Sequence, residues 1–126
     1  MPHELIAINQ RLLDAIAAGD WATYQELCDP SLTAFEPEAC GQLVEGMPFH
    51  KFYFDLGGFG AKRQTTMASP HVRVMGDVAV VSCVRLTQGT TPDGSAVTRA
   101  FEETRVWQLC DGRWRHVHFH RSAPTT

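Results

Sequence analysis

The N-terminal part of the chain carries its apolar residues at helical spacing. Within residues 4–18 one stripe is apolar and consists of Leu5, Ile8, Leu12 and Ile16. This spacing predicts an amphipathic helix. Gly19 is a natural helix stop, and Asp20 can cap a second helix that runs to about Leu27.

Two short strand patterns follow before a third helix. Residues 32–37 read as a strand that stops at Pro37, and Val44 marks a second brief strand. Pro48 suits the first turn of a helix over residues 47–55. His50 lies on one flank of that helix, beside aromatic residues.

From residue 65 onward, apolar and polar residues alternate with the period of strands. Residues 65–75 and 78–88 flank Gly76-Asp77, which predicts a two-residue hairpin turn. If Met75 pairs with Val78, one face of this hairpin is apolar and ends at Arg85. The apolar residues of that face are Val72, Val74, Ala79, Val81 and Cys83.

A second hairpin is centred on Asp111-Gly112. A plain two-residue loop places Cys110 opposite Arg113, whereas a bulge at Gly112 places Leu109 opposite Arg113. We favour the bulged register because it collects apolar groups on one face. That face holds Arg105, Trp107, Leu109, Val117, Phe119 and Arg121. The opposite face then holds His116, His118 and His120.

These elements predict an α+β domain that spans residues 1–126. A curved, mostly antiparallel sheet is expected to wrap around the N-terminal helices, with a pocket between the two layers. The late strands have no helices between them, which excludes a doubly wound parallel sheet.

The composition restricts the function classes. Charged residues make up 20% of the chain, the formal net charge is −3 and the pI is near 6.0. These values argue against a general binder of nucleic acid or of anionic membranes. The sequence shows neither an apolar run near the roughly 20 residues that span a bilayer nor a signal-peptide pattern, so we expect a cytoplasmic protein. The four cysteines have no CxxC spacing, and we expect mostly buried, reduced thiols.

Three long stretches resemble the association, or hub, domain of calcium/calmodulin-dependent protein kinase II. They are residues 28–54, residues 70–77 and residues 102–122. The resemblance implies the cone-shaped fold shared with nuclear transport factor 2 and SnoaL-like cyclases. It also implies self-association into dimers, which in the kinase stack into rings. The chain shows neither the kinase catalytic segment nor the calmodulin-binding segment, so we expect no kinase activity and a stand-alone protein of the kind found in bacteria.

The resemblance also implies a pocket for small carboxylates. The residues at the family's pocket positions are Arg85, Arg105, Arg121, His50 and Tyr24. The strand alternation independently places the three arginines on inward faces, so two separate arguments agree on them.

Three inward arginines allow two interpretations, because charges are not buried without partners. In the first, nearby carboxylates neutralise the arginines in a buried network. The candidate carboxylates are Glu36, Glu38, Glu102 and Glu103. In the second, the site keeps an excess of positive charge and binds a small carboxylate through the planar, bidentate guanidinium group. Both interpretations can hold at once.

Catalysis is the alternative function, since the same fold hosts isomerases, dehydratases and cyclases. We expect no catalytic residue, cofactor or metal, because no nucleophile is paired with a base. The alternation also places no pair of carboxylates inside, and His50 is the sole candidate base near neutral pH. An interaction module is therefore favoured over an enzyme that acts on a carboxylic acid.

The opposite face of the sheet carries histidines and valines. Three alternating histidines can bind zinc, but no fourth ligand is evident, so a subunit contact is favoured for His116, His118 and His120. Valines alternate on the same face at positions Val80, Val84 and Val106. Such a patch is rarely exposed on a monomer, which indicates at least a symmetric dimer.

Overall fold

The computed structural model describes residues 2–57 and 63–124. The helices of this part are α1 (Pro2–Ala18), α2 (Trp21–Leu27) and α3 (Pro48–Leu56), with a short 3-10 helix at Pro37–Ala39. The strands are β1 (Cys28–Phe35), β2 (Val44–Glu45), β3 (Gln64–Met75), β4 (Val78–Thr90), β5 (Ala96–Cys110) and β6 (Arg113–Ser122). The sequence predicts a flexible connection at Gly57, Gly58 and Gly60, and most of it falls on residues 58–62, which lie outside the described residues.

The six strands form one curved sheet in the order β2-β1-β6-β5-β4-β3. β1 runs parallel to β6, and the other neighbouring pairs are antiparallel. Helix α1 packs against β3, so the sheet has an inner face toward the helices and an outer face away from them. This arrangement confirms the predicted α+β fold. No helix in the described ranges is both long enough and apolar enough to cross a membrane.

Helix α1 is buried on two sides. Leu5 and Leu12 belong to the predicted stripe, and Leu13, which lies outside it, is also fully buried. Leu5 and Leu12 share one core cluster with residues of the sheet, namely Leu32, Ala34, Ala79, Val81, Trp107 and Phe119. The indole Nε1 of Trp107 donates a hydrogen bond of 3.1 Å to Oδ1 of Asn9, so the polar end of this ring is satisfied.

The start of α2 follows the predicted capping pattern. The carboxylate of Asp20 accepts hydrogen bonds from the backbone N–H of Thr23 at 3.1 Å and from its hydroxyl at 2.7 Å.

Strand β1 begins at Cys28, earlier than the predicted start at residue 32. Pro30 is tolerated there because the ladder to β6 is irregular between Cys28 and Thr33, where the missing N–H is not needed.

The β5–β6 turn has the register that we did not favour. Cys110 lies opposite Arg113 across a plain two-residue loop. Asp111 and Gly112 both have positive φ angles, 52° and 78°, as a type I′ turn requires. The prediction of a bulged turn is therefore wrong.

A bulge does occur in this hairpin, but several residues from the turn. Trp107 pairs with His116, whereas Val106 pairs with His118, so Val117 is the extra residue of β6. The bulge turns His116 to the inner face, where it is fully buried. The predicted grouping of three histidines on the outer face is therefore wrong for His116.

Candidate ligand-binding site

A cavity of about 320 Å³ lies between α2, α3 and the inner face of the sheet. All of the predicted site residues are in its wall, namely Tyr24, His50, Arg85, Arg105 and Arg121. They come from α2, α3, β4, β5 and β6, one from each element. We call this space the arginine cavity.

The strand register brings the three arginines together. Arg85 on β4 lies opposite Phe101 of β5, two residues before Glu103. Arg105, two residues beyond Glu103, lies opposite Phe119 of β6. Alternate residues of a strand share a face, so all of these side chains project from the inner face.

A buried carboxylate joins two of the arginines. Glu103 Oε2 accepts from Nη1 of Arg85 at 3.1 Å and from Nη2 of Arg105 at 3.1 Å, and its Oε1 accepts from Nε of Arg105 at 2.9 Å. Burial alone would raise the pKa of Glu103, but the guanidinium groups of Arg105 and Arg85 outweigh it and hold this pKa below its usual range. Glu103 therefore neutralises one of the two charges that it contacts.

The third arginine is held at the edge of the cavity. The guanidinium of Arg121 donates to Oε1 of Glu38 and lies 4.7 Å from the ring centroid of Phe101. In the same way, the guanidinium of Arg105 lies 4.4 Å from the ring of Phe119. Each of these two guanidinium groups is thus restrained by an ion pair and by an aromatic ring. A restrained group loses less conformational entropy on forming a further contact.

A carboxylic acid and an imidazole face each other in the wall. Oε2 of Glu36 lies 3.7 Å from Nδ1 of His50, and both side chains are about 6% exposed. Burial, together with the nearby Glu38, raises the pKa of Glu36 to about 7. Burial and the charge of Arg105 lower the pKa of His50 to about 4. Between about pH 4 and pH 7 both side chains are therefore mostly uncharged.

The sequence predicts Glu36 only as a candidate counter-ion, whereas in the structure Glu36 lines the arginine cavity. The signal was present, since Leu32, Ala34 and Glu36 follow one another at the spacing of one strand face, and the first two are fully buried. The expectation of no paired carboxylates inside is also wrong, because Glu36 and Glu38 both line the cavity. Glu38 lies in the short 3-10 helix Pro37–Ala39, directly after Glu36.

Behind Arg105 lies a chain of buried polar groups. Arg105 Nη1 is 3.4 Å from Nε2 of His116, and Nδ1 of His116 is 3.4 Å from Sγ of Cys28. Because arginine only donates, Nε2 accepts, and the proton of His116 sits on Nδ1. Burial raises the pKa of Cys28 to about 12, so its thiol stays neutral and is a poor nucleophile.

All four cysteines are free thiols, as expected. Cys28 and Cys83 are buried, Cys110 is half-buried and Cys40 is exposed. The expectation of mostly buried thiols therefore holds for two of the four.

Because His116 lies on the inner face, the three histidines do not form a common zinc site. His118 and His120 remain on the outer face, so the three imidazoles cannot converge on one ion. Over residues 2–57 and 63–124 there is no group of three or more His, Cys, Asp or Glu residues placed to hold a metal.

Ion pairs in the arginine cavity confirm the first interpretation in part, because carboxylates contact all of the predicted arginines. Two carboxylates, those of Glu103 and Glu38, thus pair with the three guanidinium groups of Arg85, Arg105 and Arg121. Two buried nitrogen atoms in the wall, Nε of Arg85 and Nε2 of His50, have no hydrogen-bond partner among the described residues. Buried polar atoms are rarely left without a partner, so these two atoms are the unusual feature of the wall.

Residues 2–125 match the model of the calcium/calmodulin dependent protein kinase II association domain. The chain belongs to this family. The hub homology domain of Chlamydomonas reinhardtii is 53% identical, with a TM-score of 0.93 and 98% of both chains covered. These findings confirm the resemblance drawn from the three sequence stretches.

Two further relatives show how far the likeness extends. The alpha chain of calcium/calmodulin-dependent protein kinase type II from Drosophila melanogaster is 51% identical over 124 residues, which are 96% of this chain and 23% of the fly protein. The chain thus spans about a quarter of that relative. A nuclear transport factor 2-like superfamily protein from Salmonella enterica has a TM-score of 0.80 at 23% identity, with 98% and 91% of the two chains covered, and shows the fold alone.

Proposed function

We propose that this association domain self-associates and binds a small carboxylate in the arginine cavity. The observation that carries the ligand proposal is the convergence of Arg85, Arg105 and Arg121 on one cavity with fewer ionised carboxylates than guanidinium groups. A carboxylate can replace the missing negative charge and accept from guanidinium N–H groups in a planar, bidentate geometry. The cavity volume of about 320 Å³ suits a ligand of a few carbon atoms.

The ligand proposal predicts that short hydroxy- and keto-acids bind. Lactate and pyruvate are expected to give measurable heats at millimolar concentration in a calorimetric titration. Removing a charged hydrogen bond costs about 1.5–3 kcal/mol, so Arg121→Ala is expected to weaken binding roughly 10- to 100-fold. Arg105→Ala is expected to weaken binding of the acid by at least the same factor. A matched control is Arg73→Ala, which removes an exposed arginine from the outer face. No heat at millimolar acid, or equal affinity in Arg105→Ala, would rule out the proposal.

Binding is expected to weaken as the pH rises through 7. Glu36 loses its proton near pH 7, and the new negative charge then repels the bound anion. His50 stays neutral over this range because its pKa is about 4. At an effective dielectric constant of about 20, two like charges several ångströms apart repel by roughly 1–3 kcal/mol, so affinity should fall about tenfold between pH 6 and pH 8.

The measurement is a titration at both pH values in buffers with different ionisation enthalpies, which also counts the protons taken up. Glu36→Gln should abolish the pH dependence, whereas Glu45→Gln, on an exposed side chain of β2, should retain it. An affinity that stays constant from pH 6 to pH 8 in the unchanged protein would disprove the role of Glu36.

Self-association is proposed through the outer face of the sheet. Val80 lies opposite Val106, and Val106 lies opposite His118, so two valines of β4 and β5 and an imidazole of β6 are neighbours on this face. These side chains are half-buried in the single chain. Static light scattering after size exclusion is expected to give at least twice the chain mass of 14.0 kDa. Val106→Glu should lower this mass, while Thr98→Glu, farther along β5, should not. A monomer at micromolar concentration would refute this part of the proposal.

The contact between Glu36 and His50 favours one second function. A carboxyl group with a pKa of about 7, next to a neutral imidazole and an anion-binding cavity, suits proton transfer on a bound acid. An isomerase or dehydratase acting on a carboxylic acid is the corresponding enzyme class. Its test is turnover of a bound acid followed by proton NMR in deuterated water. Exchange of the α-proton that disappears in Glu36→Gln and in His50→Ala would support it.

A further inference from the structure

A second cavity of about 470 Å³ opens beside the arginine cavity. The two share four residues in their walls, Glu38, Arg63, Arg85 and Arg121. The second cavity adds Thr87, Arg99 and Phe101, together with the ends of β4 and β5. We call this space the side bay. Because the dividing wall consists of side chains that line both spaces, a ligand in one lies directly beside the other.

The register places Arg99 one step beyond the arginine cavity. Arg85 lies opposite Phe101, and Thr87 lies opposite Arg99. Two residues of a strand advance by roughly 6–7 Å, so Arg99 and Thr87 sit that distance farther toward the ends of β4 and β5. The inner face of β5 therefore carries Arg105, Glu103, Phe101 and Arg99 in alternation, with cations at both ends.

The described wall of the side bay holds more guanidinium groups than carboxylates. Glu38 is the single acidic residue in its described wall, and Glu38 already pairs with Arg121. Arg99 adds a further guanidinium, exposed to solvent. Between the two spaces, Arg85 is 7% exposed, and its Nε has no hydrogen-bond partner among the described residues. A buried donor without a partner at this point indicates an anion that reaches the wall between the cavities.

We propose that the two cavities together bind a dicarboxylate, with one carboxylate in the arginine cavity and the other in the side bay on Arg99 and Thr87. This inference rests on the proposed carboxylate binding and names its ligand class. The guanidinium of Arg99 offers a planar fork to one carboxylate, and the hydroxyl of Thr87 offers one further donor. Both residues proposed to bind the second carboxylate lie on strands, Thr87 on β4 and Arg99 on β5.

The test compares dicarboxylates with monocarboxylates of equal length. Calorimetric titrations with succinate and butyrate, and with glutarate and valerate, are run at one ionic strength. The dicarboxylate of at least one pair is expected to bind roughly tenfold more tightly. Arg99→Gln should abolish this preference and leave the affinity for butyrate and valerate unchanged. Thr87→Val should reduce the preference in the same direction.

A matched control separates a specific contact from general charge. Arg113→Gln removes another exposed arginine, at the distant β5–β6 turn, and should keep the preference for dicarboxylates. If both variants lower the preference equally, the effect is long-range attraction and the inference is overturned.

The outcomes also separate this inference from the proposed function. If butyrate binds, and succinate and glutarate bind no more tightly than butyrate and valerate, carboxylate binding stands and the side bay is not a ligand site. If no acid of either series binds, both proposals fail. If Arg99→Gln lowers the affinity for monocarboxylates and dicarboxylates by the same factor, a separate subsite is likewise contradicted.

Discussion

Replacing Glu103 with glutamine is expected to lower the free energy of unfolding by about 3–5 kcal/mol, the cost of removing one partner from a buried ion network. The side chain of Glu103 is fully buried and accepts hydrogen bonds from both Arg85 and Arg105. The Arg85 side chain is 9% exposed and that of Arg105 is 2% exposed, so water cannot replace the lost charge. Glutamine keeps the shape and one acceptor but presents an NH₂ group to a guanidinium.

Urea unfolding followed by circular dichroism measures this loss. The matched control is Glu102→Gln. The side chain of the adjacent residue Glu102 is exposed on the outer face, so this substitution should change the free energy of unfolding by no more than about 0.5 kcal/mol. Removing a second charge in Glu103→Gln/Arg85→Met should restore part of the stability. A loss below about 1 kcal/mol for Glu103→Gln would show that the arginines do not depend on this carboxylate.

The same network predicts a pH dependence with a definite sign. The folded-state pKa of Glu103 lies below the unfolded value, so its stabilising contribution is present above the unfolded pKa and is lost as the pH falls through the folded pKa. The protein should therefore lose stability in acid, and Glu103→Gln should lose less over the same range.

Replacing Trp107 with alanine is expected to destabilise the fold by about 3–5 kcal/mol, the usual cost of emptying a buried aromatic site. Trp107 is fully buried, packs 5.1 Å from the ring of His116 and donates to Asn9 on α1. The residue thus joins the first helix to the centre of the sheet. Its loss creates a cavity and leaves a buried amide oxygen without its donor.

Trp107→Phe is a milder change. It keeps one six-membered ring in the core but removes the N–H donor and the fused five-membered ring, so about 1–3 kcal/mol is expected. Trp114 is a matched control, because its Nε1 donates to Glu4 at the surface at 3.2 Å and its ring is half-buried. Trp114→Phe should change the unfolding free energy by less than about 1 kcal/mol. Equal effects at both positions would contradict the role of Trp107 in joining α1 to the sheet.

The strand alternation predicted the inward arginines because it is a local property. Arg85 follows Ala79, Val81 and Cys83 at even spacing, so the same pleat that buries those residues turns Arg85 inward. Phe119 and Arg121 are related in the same way on β6. No knowledge of neighbouring strands is needed for such a prediction, provided that no bulge intervenes.

The error at His116 shows where the local argument stops. We placed the irregularity at the Asp111-Gly112 turn, whereas the structure has it at Val117, where β6 must also pair with β1 on its other side. A bulge is selected by two neighbouring strands at once, and one of them lies about ninety residues away in the chain. The alternation of β6 alone cannot locate it.

The sequence by itself determined the helices, the positions of the two hairpins and the inward direction of Arg85 and Arg105, because each depends on spacing along one segment. The inward direction of Arg121 depends in addition on the bulge at Val117. Only the tertiary structure decided that Glu103 joins two of these arginines, that Glu36 faces His50, and that Arg99 lies beside the same cavity. These are contacts between side chains from separate strands and helices. Their distances are set by the curvature of the sheet and the packing of α1 to α3 against it, which no single segment encodes.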